Sequence, residues 1–239
     1  MGLPTLNISN LIKDRSFYTE FQPLWNTSND SIFAYEALLR TTPSINPLTI
    51  FHSARKQSLL YEIDTASISN AVKEYPYTYL DKHLLFVNVF PSTIVHPDFP
   101  NFMELLLTNY KKIKTRLVFE IHEDPFEESY WGKHEFLERL SFLKSKGFLI
   151  AYDDLTHSLF SISKMIKFQP DFAKLDRSCS ENLSNSPKKK QSLEFFLAYS
   201  QQKLLSILEG IETNEDFVTS KKMGVPLLQG YYMAKPHRL

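Results

Sequence analysis

The chain has 239 residues, 43% of them hydrophobic, 14% aromatic and 23% charged; that is long enough to bury a barrel-sized core without disulfides or structural metals, and too apolar for a disordered chain. Twenty-seven basic residues balance 27 acidic ones, which argues against a partner such as long nucleic acid gripped through its backbone and leaves open a small anionic ligand whose charge a metal offsets. Cys179 is the only cysteine, so no intramolecular disulfide and no cysteine-based zinc cluster can form.

Residues 1–16 read as an N-terminal extension of one domain filling 1–239; Asn7, Asn10, Lys13, Asp14 and Arg15 break any apolar core of signal-peptide type there. No later run reaches membrane-spanning length, so the expected location is the cytoplasm and no membrane partner is expected. Strands are predicted at 17–23, 32–39, 84–90, 117–121, 148–153, 172–176, 204–209 and 225–229. Several are nearly continuous apolar runs, as in Leu84-Leu85-Phe86-Val87 and Phe148-Leu149-Ile150-Ala151, the pattern of strands covered on both faces. Helix-like stretches fall between them at 102–111, 133–146, 192–203 and 214–222. In the second of these, Phe136, Leu137, Leu140 and Leu143 share one face, and Gly147 stands where the helix stops. The run Lys188-Lys189-Lys190 after Pro187 reads as a solvated helix start.

Strands alternating with helices point to a TIM-like α/β barrel or a doubly wound sheet. The short polar loop from Asn26 to Ser31 suits a hairpin better than a crossover, so the first strand is expected to be antiparallel. Polar residues recur at the strand ends: Glu36, Asn88, Glu120, the Asp153–Asp154 pair, Lys174 with Asp176, Glu209 and Gln229. In a parallel barrel those ends converge on one mouth. Gathering so many carboxylates is costly unless cations neutralise them, and a set of carboxylates with one amide suits hard ions, Mg²⁺ or Mn²⁺, rather than zinc. Paired aspartates can bridge two ions, an arrangement suited to phosphoryl displacement, and a lysine among them can assist water or offset charge.

These residues sit in an ordered series of motifs: Tyr35-Glu-Ala-Leu-Leu-Arg40, Phe86-Val-Asn-Val89, Phe119-Glu-Ile-His-Glu123, Ala151-Tyr-Asp-Asp154, Ala173-Lys-Leu-Asp176, Leu208-Glu-Gly-Ile-Glu-Thr213 and Leu228-Gln-Gly-Tyr231. The series resembles that of the bacterial EAL family of cyclic di-GMP phosphodiesterases from about Phe17 to Pro236, nearly the whole chain. The resemblance implies a TIM-like (β/α)8 barrel that cuts one phosphodiester of cyclic di-GMP to give linear pGpG with two Mg²⁺ or Mn²⁺ ions. By the family pattern Glu36, Asn88, Glu120 and Asp153 are metal ligands, Asp154 binds the second ion, and Glu209 completes or supports the set. Lys174 stands beside the nucleophilic water as base or electrostatic aid, held by Asp176. Gln22, Arg40 and Gln229 match positions that contact the substrate or line its site, and Glu212 and Glu123 match acidic positions supporting the mouth and its loop.

Two departures stand out. After the paired aspartates the family reads Phe-Gly-Thr-Gly-Tyr-Ser-Ser, whereas this chain reads Leu155-Thr-His-Ser-Leu-Phe-Ser161, without either glycine. His122 stands where the family has threonine. His157 reads as an ordinary loop residue, and Tyr231, Tyr232 and Met233 as packing rather than a base-stacking platform. A homodimer is a family tendency, which the altered loop weakens. The loop also motivates the alternative of a catalytically silent barrel that binds cyclic di-GMP or a partner protein; a phosphodiesterase for other small nucleotides is a third reading. The chain ends shortly after Pro236, where the family continues into a closing helix, and no sensory domain is expected on the same chain.

Overall fold

The computed structural model describes residues 6–122, 124–155, 159–200 and 203–239. Eight strands close into one barrel in sequence order: β1 (Phe17–Asn26), β2 (Ser31–Thr41), β3 (Leu84–Val89), β4 (Leu117–His122), β5 (Leu149–Leu155), β6 (Phe172–Leu175), β7 (Leu205–Leu208) and β8 (Leu227–Leu228). The TIM-like barrel expected from the sequence is the fold observed, and the doubly wound sheet is ruled out by closure. The hairpin is also as expected: β1 runs antiparallel to both β2 and β8, while every other neighbouring pair is parallel.

The apolar strand runs are explained by two separate burials. Facing into the barrel, Leu24, Ala34, Phe86, Val118, Ala151, Phe172 and Ile207 form one apolar layer. Facing outward, Ala37, Val87, Phe119, Ile121, Ile150, Tyr152, Ala173 and Leu208 pack under the surrounding helices. Successive strand residues alternate between the two faces. The inward residue two positions beyond Ala34, Phe86, Val118, Ala151, Phe172 and Ile207 is therefore Glu36, Asn88, Glu120, Asp153, Lys174 and Glu209 in turn, and on the antiparallel β1 it is Gln22, two positions before Leu24. The same strands that plug the barrel deliver a polar layer to its C-terminal end.

Helices His134–Ser145 and Asn214–Lys222 lie where predicted, Phe99–Asn109 begins three residues early, and Pro187–Ser200 begins at the lysine run. The long helix Leu60–Glu74 buries Ile63, Ile68, Ala71 and Val72 against the barrel. Residues 6–16 carry a helix of their own. Their helix, Ile8–Lys13, buries Ile8 and Leu11 in a cluster with Ile50, Ala54, Leu60 and Ile63. A six-residue helix offers too few periodic positions to announce itself in the sequence, and its fixed position comes from this packing. No described helix is long and apolar enough to cross a membrane.

Candidate functional site

The ammonium of Lys174, which is 1% exposed, forms the centre of the polar layer. Its Nζ lies 3.2 Å from Glu36 Oε2, 3.4 Å from Asp153 Oδ1 and 2.5 Å from Glu209 Oε1, and it donates a hydrogen bond to Glu120. Asn88 Nδ2 donates to Glu36 Oε1 at 3.4 Å and Gln229 Nε2 to Glu36 Oε2 at 2.6 Å. Gln22 stands opposite Glu36 in the β1–β2 register, accepts from Gln229 at 3.3 Å and donates to the Ala234 carbonyl.

Four carboxylates thus share one cation in a buried setting. Burial, compounded by Glu36, pushes Glu120 well above the ordinary carboxylate range in spite of Lys174. Burial likewise takes Glu209 up to about 8. Burial acts in the same direction on Asp153, but Lys174 and His122 outweigh it and hold that carboxyl below its usual range. For Lys174 burial is opposed by the four carboxylates together, which keep it well above a free lysine. The upward pull on Glu120 and Glu209 comes first from burial and then from the negative charge collected beside them. Among the described residues, buried Glu120 Oε2 and Gln229 Oε1 have no hydrogen-bond partner and Asp153 Oδ1 has only the Lys174 ammonium at 3.4 Å, and each is an oxygen of the kind that hard dications take.

A second cluster lies above the first. His122 is two residues beyond Glu120 on β4, and stands opposite Asp153 in the β4–β5 register. Its Nδ1 is 2.9 Å from Asp154 Oδ2 and 3.4 Å from Asp153 Oδ2. Neighbouring aspartates on a regular strand would face opposite ways. Here Asp154 adopts φ 56°, and between Tyr152 and Leu155 two β5 residues, Asp153 and Asp154, stand opposite the single β6 residue Lys174, so both carboxylates reach the same side. Burial lowers the affinity of His122 for its proton, but hydrogen bonds to Asp153 and Asp154 more than compensate and lift it to about 10. Two groups of donors close enough to hold a metal ion result, Glu36 with Glu120 and Glu209, and His122 with Asp153 and Asp154. Asp153 connects them, one oxygen toward Lys174 and the other toward His122.

Two lobes open from this centre. One, of about 220 Å³, runs past Glu36 and Asp153 to Leu38, Arg40, Leu48 and Phe90. The other, of about 290 Å³, is bounded by Gln22, Arg177, Glu212, Gln229 and Tyr231. Arg40 is oriented by Glu20 at 2.9 Å, and Arg177 makes a forked pair with Glu212 at 2.9 and 3.1 Å. Gly210, at φ 69°, lets that arginine lie against the β7 end: a Cβ there would come within 2.4 Å of Arg177 Cγ.

Most residues singled out in the sequence meet at this mouth, with exceptions. Asp176, expected to hold Lys174, accepts from the Ser178 backbone N–H at 2.9 Å and caps the short helix Arg177–Ser180. Glu123 and His157 lie outside the described residues, as do Thr156 and Ser158 of the altered loop. Tyr231, read as packing, is 55% exposed and lines the second lobe; Met233 does pack against the core. Arg177 was missed, although a basic residue directly after the Lys174-Leu-Asp176 strand end is a signal for it.

Fold and mouth together define a TIM-like barrel with an acidic, cation-seeking centre at the C-terminal strand ends. The sequence profile of the EAL domain matches residues 6–236, and the chain belongs to that family. It is 26% identical over 226 residues to the cyclic di-GMP phosphodiesterase TpdA of Vibrio parahaemolyticus, covering 94% of this chain and 38% of that protein. The chain spans 28%, 46% and 44% of three further curated relatives. Among solved structures it resembles the FimX EAL domain of Pseudomonas aeruginosa bound to c-di-GMP, with TM-score 0.86 and 24% identity over 97% of this chain and 95% of that one. It also resembles a manganese/cy-diGMP complex of Klebsiella pneumoniae BlrP1, with TM-score 0.83 and 22% identity over 99% of this chain and 58% of that one.

Proposed function

We propose that this chain hydrolyses one phosphodiester of cyclic di-GMP to linear pGpG, using two Mg²⁺ or Mn²⁺ ions. The observation that carries the reading is the set of four carboxylates around Lys174, with a buried oxygen on Glu120 that has no hydrogen-bond partner among the described residues. Such a set is expensive as a bare structural network and fits hard dications. Glu36, Asn88, Glu120, Asp153 and Glu209 would hold one ion, with Asp153 and Asp154 reaching a second. Bound there, the ions would make water more acidic and offset charge on the phosphodiester.

The protein's own contribution is positioning. Lys174 offers N–H donors to a phosphate or leaving oxygen from a fixed point on β6, and Gln229 and Asn88 orient the Glu36 carboxylate. Lobes on either side of the centre suit a substrate with two bases joined by a phosphate ring. Arg40 and Arg177 stand at the two lobes, where a planar guanidinium can take a phosphate or guanine edge with two hydrogen bonds. Gln22 and Glu212 border the second lobe as substrate contacts or supports. The names of TpdA and the BlrP1 complex support both the nucleotide and the metal.

Purified protein incubated with cyclic di-GMP and Mg²⁺ or Mn²⁺ is expected to yield pGpG by chromatography. Glu36→Ala and Lys174→Ala should each cut the rate by roughly a hundredfold or more. Absence of turnover by folded, metal-loaded protein would overturn the enzymatic reading in favour of a binding regulator.

A further inference from the structure

Resting on the reading that the mouth holds divalent cations, we propose that His122 is a nitrogen ligand at the upper cation position, which makes that position a mixed imidazole–carboxylate site selective for a transition-metal dication over Mg²⁺. Three observations converge. His122 Nδ1 faces two carboxylate oxygens at once, at 2.9 and 3.4 Å, although a ring nitrogen carries at most one hydrogen to share between them. A cation takes all three atoms together. The positive φ of Asp154 and the irregularity in β5 turn both aspartates toward the ring, so the backbone itself is bent to form the trio. Asp153, 8% exposed, turns its other oxygen, Oδ1, toward the Lys174 ammonium at 3.4 Å, so this carboxylate stands between the upper and lower positions.

The chemistry differs from that of an all-oxygen site. Imidazole nitrogen binds Mn²⁺ and the later first-row ions in rising order, whereas Mg²⁺ prefers carboxylates and water. Binding exchanges the ring's Nδ1 proton for the metal, and the proton leaves to solvent. Threonine at this place, which the family motif carries, offers only a hydroxyl. The substitution would therefore change which metal the upper position accepts while leaving the lower, carboxylate-rich position as it is.

The test is pulsed electron paramagnetic resonance of Mn²⁺ added to metal-stripped full-length protein, with Mg²⁺ as competitor. Wild type and His157→Ala should both show ¹⁴N modulation of the Mn²⁺ echo, and His122→Thr should lose it while still folding and binding Mn²⁺ at the lower position. Displacing the second Mn²⁺ from wild type should need at least about tenfold more Mg²⁺ than from His122→Thr. Two bound Mn²⁺ without ¹⁴N modulation, or modulation that survives in His122→Thr, would overturn the role of His122 and leave the metal-binding reading standing. No Mn²⁺ uptake by folded wild type would remove both.

Discussion

Asp64 shows how a single buried acid near the mouth can set the protein's response to pH. It is 1% exposed, lines the Arg40 lobe, and accepts a hydrogen bond from the Phe90 backbone N–H at 3.0 Å. Burial outweighs that bond and raises the carboxyl from 3.8 to about 7. The folded state therefore binds a proton that the unfolded chain has already released between those two pH values. Stability from this group is fully present below about pH 4, is lost as pH rises toward 7, and is flat above that. Asp64→Asn keeps an oxygen for the Phe90 N–H and cannot ionise. Relative to wild type the variant should gain stability progressively from pH 4 to pH 7, by a few kcal/mol in total on the order of 1.4 per pH unit. Urea denaturation of both proteins across that range checks it, and parallel curves would show that Asp64 does not titrate there.

At the level of elements, strand ends do the positioning, and glycine is what lets two of them meet. A Cβ on Gly230 would fall 2.1 Å from the Ile211 carbonyl oxygen and 2.3 Å from its nitrogen, which are backbone atoms with nowhere to retreat. Ile211 N–H donates to the Gln229 carbonyl, and Tyr232 N–H to the Ile211 carbonyl. Gly230→Ala must therefore push β8 away from the β7 end, carrying Gln229 off Glu36. The expected outcome is a loss of roughly 3 kcal/mol or more in stability, in the range that overpacking and backbone strain produce, with activity falling further than the residual fold predicts. Circular dichroism melting and pGpG formation read the two effects separately. This element logic also explains what the sequence revealed. Strands such as 84–89 and 117–122 announced themselves through apolar runs ended by a polar residue, and the period of two then placed Glu36, Glu120 and Lys174 in one layer. The positive φ of Asp154 left no such trace, because an aspartate fits many backbone conformations. The cap made by Asp176 was hidden for a related reason: a local Asp-x-Ser turn, with Ser178 as donor, draws on the same carboxylate.

At the level of the whole molecule, the barrel is thinnest at the seam where β8 closes it, since β8 meets β7 as well as β1 over two residue pairs. β1 pairs with β2 from Phe17 to Asn26, but meets β8 only at Trp25 and Asn26, because β8 is two residues long. The remaining edge of β1 is covered by the segment that follows. Phe21 and His237 exchange backbone hydrogen bonds at 2.7 and 3.1 Å, Gln22 Nε2 donates to the Ala234 carbonyl at 3.1 Å, and Arg238 lies 4.0 Å over the Tyr18 ring. An open strand edge is thereby paired by backbone rather than left to solvent. The seam is also where Gln22 and Gln229 reach the site, so its order bears on the second lobe. His237→Pro keeps the carbonyl that accepts from Phe21 and removes the N–H that Phe21 accepts. One bond with a net worth of about 1 kcal/mol corresponds to roughly fivefold more frequent opening. Hydrogen exchange followed by mass spectrometry should show that acceleration in peptides covering 17–26, with β3 to β5 unchanged. Equal exchange in both proteins would mean that β1 is held by β2 alone, and acceleration spread over every strand would mean that the tail supports the barrel as a whole rather than its seam.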